Sequence, residues 1–273
     1  MKTHSFLPLL LLFLALAIQP IALGLSNEEQ ADVENSIVRY KASIGINPNN
    51  PETRLKLGQF LFLKGSLDEA IVQLQKAVEL DRKSTEGYLL LGRVFLRKGQ
   101  LDEAIKVIEQ GIKSQPSSAD LYYRLGQLQF RKGASDQAIA SFRQSVKLNP
   151  HLAVAHRDLG AALGMKGDYK GQIDSEEKAL ELTKSDPDVY YYLGSAYLMN
   201  NQADEAYGNL KKCVALDNKN IEALKLLASL EVNRENFQEA QQLVLKALQL
   251  DPGNKELKQA LEKIKAKDTR RRK

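Results

Sequence analysis

Residues 87–104 read GYLLLGRVFLRKGQLDEA, and the pieces of this stretch return along the chain every 34 residues. The Leu-Gly or Leu-Ala pair stands at Leu57-Gly58, Leu91-Gly92, Leu125-Gly126, Leu159-Gly160, Leu193-Gly194 and Leu227-Ala228, with no insertion between one and the next. A fixed period of this length means stacked supersecondary units, each burying its apolar face on its neighbours, rather than one chain folded back on itself.

Within the quoted stretch, Tyr88, Leu91 and Phe95 fall at spacings of three and four, which is one face of a helix. Gly92 lets a second helix approach that face closely. Lys98-Gly99 closes the first helix, since Gly takes the left-handed conformation of a C-cap and Lys complements the helix dipole. Lys64-Gly65, Lys132-Gly133 and Lys166-Gly167 repeat the device. The last two periods carry Asn201 and Glu235 in its place. Asn suits the left-handed region, whereas Glu235 predicts an irregular turn before Asn236. Asp102 and Glu103 then open a second helix at its positive end, as Asp68 and Glu69 do one period earlier. Such paired carboxylates, repeated in register, are helix-start residues rather than an acid–base pair. Pro48, Pro116, Pro150 and Pro252 stop the helices.

Six complete helix-turn-helix periods follow, at 51–84, 85–118, 119–152, 153–186, 187–220 and 221–254. Before them, 25–50 reads as a capping helix, opened by the Ser26-Asn27-Glu28-Glu29 capping box, with Val33, Ile37, Tyr40 and Ile44 packing on the first repeat. After them, 255–273 reads as a polar-backed capping helix and a basic tail. The fourth period departs most, with Gln172 and Glu176 where Ala and a large apolar residue are expected, and predicts a soft joint.

This pattern of Leu-Gly, aromatic, Gly, Ala, small residue and Pro resembles the tetratricopeptide repeat (TPR) over residues 51–254. The resemblance implies an all-α fold, a right-handed TPR superhelical solenoid of stacked antiparallel helix pairs whose first helices line a concave groove. It also implies that positions 2, 5, 9, 12 and 13 of each period face that groove, which nominates Phe62, Arg93, Arg97, Tyr123, Phe130, Arg131, Arg157, Tyr191 and Lys225 as peptide-binding residues. Arg with Tyr and Phe is the composition of interface anchors. The clamp by which some family members hold chaperone C-terminal carboxylates needs Lys and Asn where this chain offers Leu55 and Gln59, Leu89 and Arg93, or Tyr123 and Gln127. Chaperone partners are therefore not expected.

Charge placement narrows the partners further. Residues 255–273 carry a net +6 and residues 25–254 a net −2, so the basic character belongs to the C-terminal segment and a nucleic-acid-binding body is not expected. The tail Arg270-Arg271-Arg272-Lys273 reads as a solvated end, with attraction to anionic lipid, polysaccharide or an acidic partner as its functional reading. At the other end, Lys2, the apolar run FLPLLLLFLALAI over 6–18 and the small-residue pattern Ala22-Leu23-Gly24 form a signal peptide over 1–24, with cleavage after Gly24. An uncleaved membrane anchor is the second reading. Both send the body out of the cytoplasm, to the periplasm or the exterior.

Enzyme chemistry has little support, and no catalytic, metal-ligating or cofactor-binding residue is nominated. The three histidines, His4, His151 and His156, have no Cys or carboxylate at metal-ligand spacing. His156 takes the repeat position of Tyr88, Tyr122 and Tyr190, and Cys213 that of Ala77, Gly111, Ser145 and Ala179, so both read as packing residues. The expected function is a non-catalytic protein–protein interaction scaffold with a peptide or protein partner. The alternative is a cell-envelope-associated carrier or binding protein for an anionic glycan or lipid.

Overall fold

The computed structural model describes residues 26–271. The targeting segment expected over 1–24 lies outside the described residues. Fourteen α-helices make up the fold among them, an all-α array of stacked helical hairpins as the period predicts. No helix among the described residues is long and apolar enough to cross a membrane. The chain forms two compact units that meet in sequence between Asn149 and Pro150.

The first unit holds α1 (Asn27–Ile46), then the pairs α2 (Pro51–Lys64) and α3 (Leu67–Leu80), α4 (Thr85–Arg97) and α5 (Leu101–Ser114), and α6 (Ala119–Arg131) and α7 (Ser135–Leu148). The second holds α8 (Ala153–Met165) and α9 (Tyr169–Thr183), α10 (Pro187–Met199) and α11 (Ala203–Leu216), α12 (Ile221–Asn233) and α13 (Phe237–Leu250), and a closing α14 (Lys255–Arg271). Within each unit a first helix packs on the second helix of its pair, and that second helix on the first helix of the next. The caps fit this scheme. In α1, the Ser26 hydroxyl accepts from Glu29 N while Glu29 accepts from Ser26 N, the complete capping box. Val33 and Ile37 are buried against α2, and Tyr40 stacks on Phe60 with centroids 5.6 Å apart.

The Leu-Gly pair earns its recurrence through contact. A Cβ on Gly58 would stand 2.5 Å from Leu74, one on Gly126 would stand 2.6 Å from the Phe142 ring, and one on Gly194 2.6 Å from Leu210. Each of these glycines is therefore a notch that receives a large side chain of the partner helix. In the fourth repeat the same notch, Gly160, receives Glu176. Glu176 is fully buried and neither of its carboxylate oxygens has a hydrogen-bond partner among the described residues. The helix pair is nevertheless closed around it.

Glu235 corrects one expectation. Its turn is regular: φ is +60° at Glu235 and at Asn201, beside +79° to +89° at Gly65, Gly99, Gly133 and Gly167. The hydrogen bond that closes the turn is kept as well, from Asn236 N to Glu231 O at 2.9 Å, matching Ser66 N to Leu61 O at 2.9 Å. Packing of the two flanking helices outweighs the Cβ penalty of roughly 1–2 kcal/mol for a non-Gly residue in this region.

The Asp at the start of a second helix has a further use. Lys98 pairs with Asp68 at 2.5 Å, Lys132 with Asp102 at 2.7 Å and Arg234 with Asp204 at 2.5 Å, each tie reaching back 30 residues to the preceding repeat. The hydrogen bond and charge of Lys132 lower the Asp102 carboxyl below its ordinary value. Exposed pairs of this kind contribute little stability and serve more to align neighbouring repeats.

Candidate functional site

The first helices of the first unit carry five of the nine nominated residues on accessible surface. Arg93 and Arg97 lie one turn apart on α4, Arg93 exposed and Arg97 half-buried. Tyr123, Phe130 and Arg131 are half-buried on α6, at helical spacings that keep them on adjoining sides. The Tyr123 ring rests against Phe142, centroids 6.0 Å apart, and its hydroxyl accepts from Gln127 Nε2 at 2.7 Å. The ring is thus fixed before any partner arrives.

Phe62 does not belong to that surface. It is 3% exposed and sits in the core of the first unit, where the Arg97 guanidinium lies over its ring at 5.6 Å. Its role is to support Arg97 from below, a cation–π contact worth about 0.5–1 kcal/mol at an exposed site. The nomination of Phe62 as a groove residue is corrected accordingly: a large apolar side chain at the penultimate turn is drawn into the inter-helix core rather than left at the surface.

One residue of this surface was not nominated. Arg124 donates through Nη1 to Gln127 Oε1 at 3.0 Å, and burial together with the neighbouring Arg93 charge lowers its guanidinium below the ordinary value. Its electrostatic partner is therefore another arginine, and its hydrogen-bond acceptor is a neutral amide. Among the described residues, none of Arg93, Arg97, Arg124 and Arg131 forms an ion pair with a carboxylate. Position 6 of the third period gave no signal for this, because the juxtaposition with Arg93 exists only across two helices.

The nominated residues of the second unit stand in a different electrical setting. Arg157 lies 3.5 Å from Asp158 and 3.9 Å from Asp186. Lys225 is paired with Glu222 at 3.1 Å and Glu256 at 3.7 Å. Tyr191 is half-buried against Tyr192, centroids 5.3 Å apart, and burial, with Glu222 and Cys213 adding, pushes its hydroxyl up to about 12. It therefore stays a neutral donor. Arg157 and Lys225 are already neutralised by their own unit.

Cys213 is fully buried, and burial, with Asp217 and Asp188 adding, pushes its thiol up to about 12, which suits packing and not nucleophilic attack. His156 Nε2 donates to Pro150 O at 2.9 Å, a contact from the first turn of α8 back to the turn that precedes it. Among the described residues no group of His, Cys, Asp or Glu could hold a metal ion.

Comparison with known proteins adds the following. The family model described as cilia and flagella-associated protein 70 C-terminal domain matches residues 12–264. The crystal structure of MamA protein is 26% identical, with a TM-score of 0.56, and the match covers 62% of this chain and 92% of that one. The crystal structure of YrrB, described as a TPR protein with an unusual peptide-binding site, is 22% identical with a TM-score of 0.59, covering 68% of this chain and 95% of that one. The C-terminal part of a TPR repeat-containing protein from Cytophaga hutchinsonii is 18% identical with a TM-score of 0.71, covering 84% and 95%. No curated protein matches the chain.

Proposed function

The chain belongs to the cilia and flagella-associated protein 70 C-terminal domain family, a tetratricopeptide-repeat family, and from that premise we propose that it is a non-catalytic interaction scaffold whose first unit captures an acidic peptide segment. The observation that carries this reading is the set Arg93, Arg97, Arg124 and Arg131, uncompensated by any carboxylate among the described residues and interleaved with Tyr123 and Phe130. Guanidinium groups held at a partly desolvated surface bind carboxylates in paired hydrogen bonds, and the Tyr123 ring, already held against Phe142, supplies contact area at small entropic cost. The like-charge contact of Arg93 with Arg124 is relieved when an anion lies between them. Charge selection in this reading belongs to the first unit, since Arg157 and Lys225 are paired at home. A peptide site on this fold is also what is described for YrrB.

The test is capture of partners and of an Asp/Glu-rich peptide containing aromatic residues by the intact chain and by the Arg93→Glu, Arg124→Glu, Arg131→Glu triple variant. Charge reversal at three sites is expected to weaken binding by at least ~100-fold at low salt and to remove most of its salt dependence. Unchanged partners and an unchanged salt slope sink the assignment.

The proposal includes an exported location, periplasmic or secreted, on the strength of the apolar run and small-residue pattern of residues 1–24. Amino-terminal sequencing of the mature protein is expected to begin at Leu25. A first residue of Met1 on a membrane-bound protein would favour the uncleaved anchor instead.

A further inference from the structure

The second unit contains an open slot of about 380 Å³ between α12, α13 and α14. Its floor and walls are Ala228, Val232, Val244, Leu257, Ala260 and Ile264, and its rim carries Ser229, Glu256 and three lysines, Lys225, Lys263 and Lys267. The slot has a cause in the repeat register. Ala260 stands in α14 where the first helices of the six repeats carry Lys56, Leu90, Arg124, Asp158, Tyr192 and Leu226. Val232 likewise holds the position of Phe62, Leu96, Phe130 and Leu198, with Gly164 the one smaller residue in the series. Side chains shortened on both facing helices leave unfilled the space that larger ones would occupy.

We propose that this slot binds a single-chain carboxylate of the fatty-acid class, with the alkyl chain along the apolar floor and the carboxylate at Lys263 and Lys267. The rim supports an anion, for these two lysines lie one turn apart and form no ion pair among the described residues, while Lys225 is shared by Glu222 and Glu256. An alkyl chain fits the floor better than a peptide backbone does. The floor and walls offer no side-chain donor or acceptor to a main chain whose N–H and C=O groups all need partners, the polar groups being confined to the rim, and an alkyl chain has no such groups. The volume lies within the range of about 300–1,000 Å³ usual for small-ligand sites. This site involves none of the arginines of the first unit and stands or falls without the peptide reading.

The experiment is calorimetric titration of the chain with decanoate and with decanol, each below its aggregation limit, together with thermal unfolding. One saturable decanoate site that raises Tm is expected, with decanol at least ~tenfold weaker. The Lys263→Gln, Lys267→Gln variant is expected to bring decanoate down to the level of decanol. Ala260→Leu is expected to abolish binding of both, and it suits the frame because Leu90 and Leu226 occupy the same repeat position. If Ala260→Leu fails to fold, Ser229→Leu on the exposed side of α12 blocks the slot and is expected to give the same loss. The proposal is overturned by absence of saturable binding, by equal affinity for decanol, by full decanoate binding in the folded slot-filling variant, or by an acidic peptide that occupies the site while decanoate does not.

Discussion

Glu176 is the residue whose environment departs most from what its chemistry prefers. Burial raises its carboxyl well above the ordinary value of 4.5, with Arg157 pulling the other way and Asp158 and Asp186 pushing it further up. Above pH 4.5 the folded chain retains a proton that the unfolded chain gives up, so stability falls as pH rises until the folded carboxyl itself ionises. Denaturation midpoints measured from pH 4.5 to neutrality are expected to decline in the native chain and to lose that component of the slope in Glu176→Gln. Glu176→Leu, which restores the side chain found as Leu74 and Leu210 over the equivalent notches, is expected to stabilise by about 1–3 kcal/mol in urea unfolding at neutral pH. Glu235 presents the opposite case, a polar residue in a position that restricts the backbone. Glu235→Gly removes the Cβ from a left-handed turn and is expected to raise stability by ~1 kcal/mol, with the exposed contact to Arg271 losing little.

At the scale of the element, the helix pair is held by a notch and a knob. Gly126→Ala would bring a methyl to 2.6 Å from the Phe142 ring, and since Phe142 also supports Tyr123, the strain reaches the candidate peptide surface. A loss of about 1–3 kcal/mol in stability is expected, accompanied by weaker peptide binding, whereas a substitution in the exposed Lys132–Asp102 tie should leave both nearly unchanged. Denaturant unfolding and peptide titration on the same variants separate the two effects. The element scale also separates the arginine face from the packing frame. The frame residues at Leu-Gly, Gly and Ala are spoken for by packing, while Arg93, Arg97, Arg124 and Arg131 stand outside that frame, Arg93 exposed and the other three half-buried, with Arg97 over the Phe62 ring and Arg124 bonded to Gln127.

For the whole molecule, period and register were sufficient to place the repeats. Helices begin at Pro51, Thr85, Ala119, Ala153, Pro187 and Ile221, the first residue of each period, because Asn50, Ser84, Ser118, Asp186 and Asn220 cap five of these six starts and a left-handed turn separates each pair. These are local interactions repeated in sequence, and local interactions are legible in a string of residues. The candidate site was legible only in outline. Position within the repeat nominated Arg93, Arg97, Tyr123, Phe130 and Arg131, yet it placed Phe62 on the surface, omitted Arg124 and treated Arg157 and Lys225 as equals of the first-unit arginines. Each of those judgements depends on which charge or ring lies across a helix interface, about one repeat away in sequence: Phe62 with Arg97, Arg157 with Asp186, Lys225 with Glu256. The return of the stretch 87–104 every 34 residues determines that the chain is a stack of helix pairs, because the notch glycine and the caps act within one repeat or between adjacent ones. Only the tertiary structure decides which of the arginines remain available to a partner and where the last helices leave a slot, because burial and electrostatic compensation are set by neighbours in space.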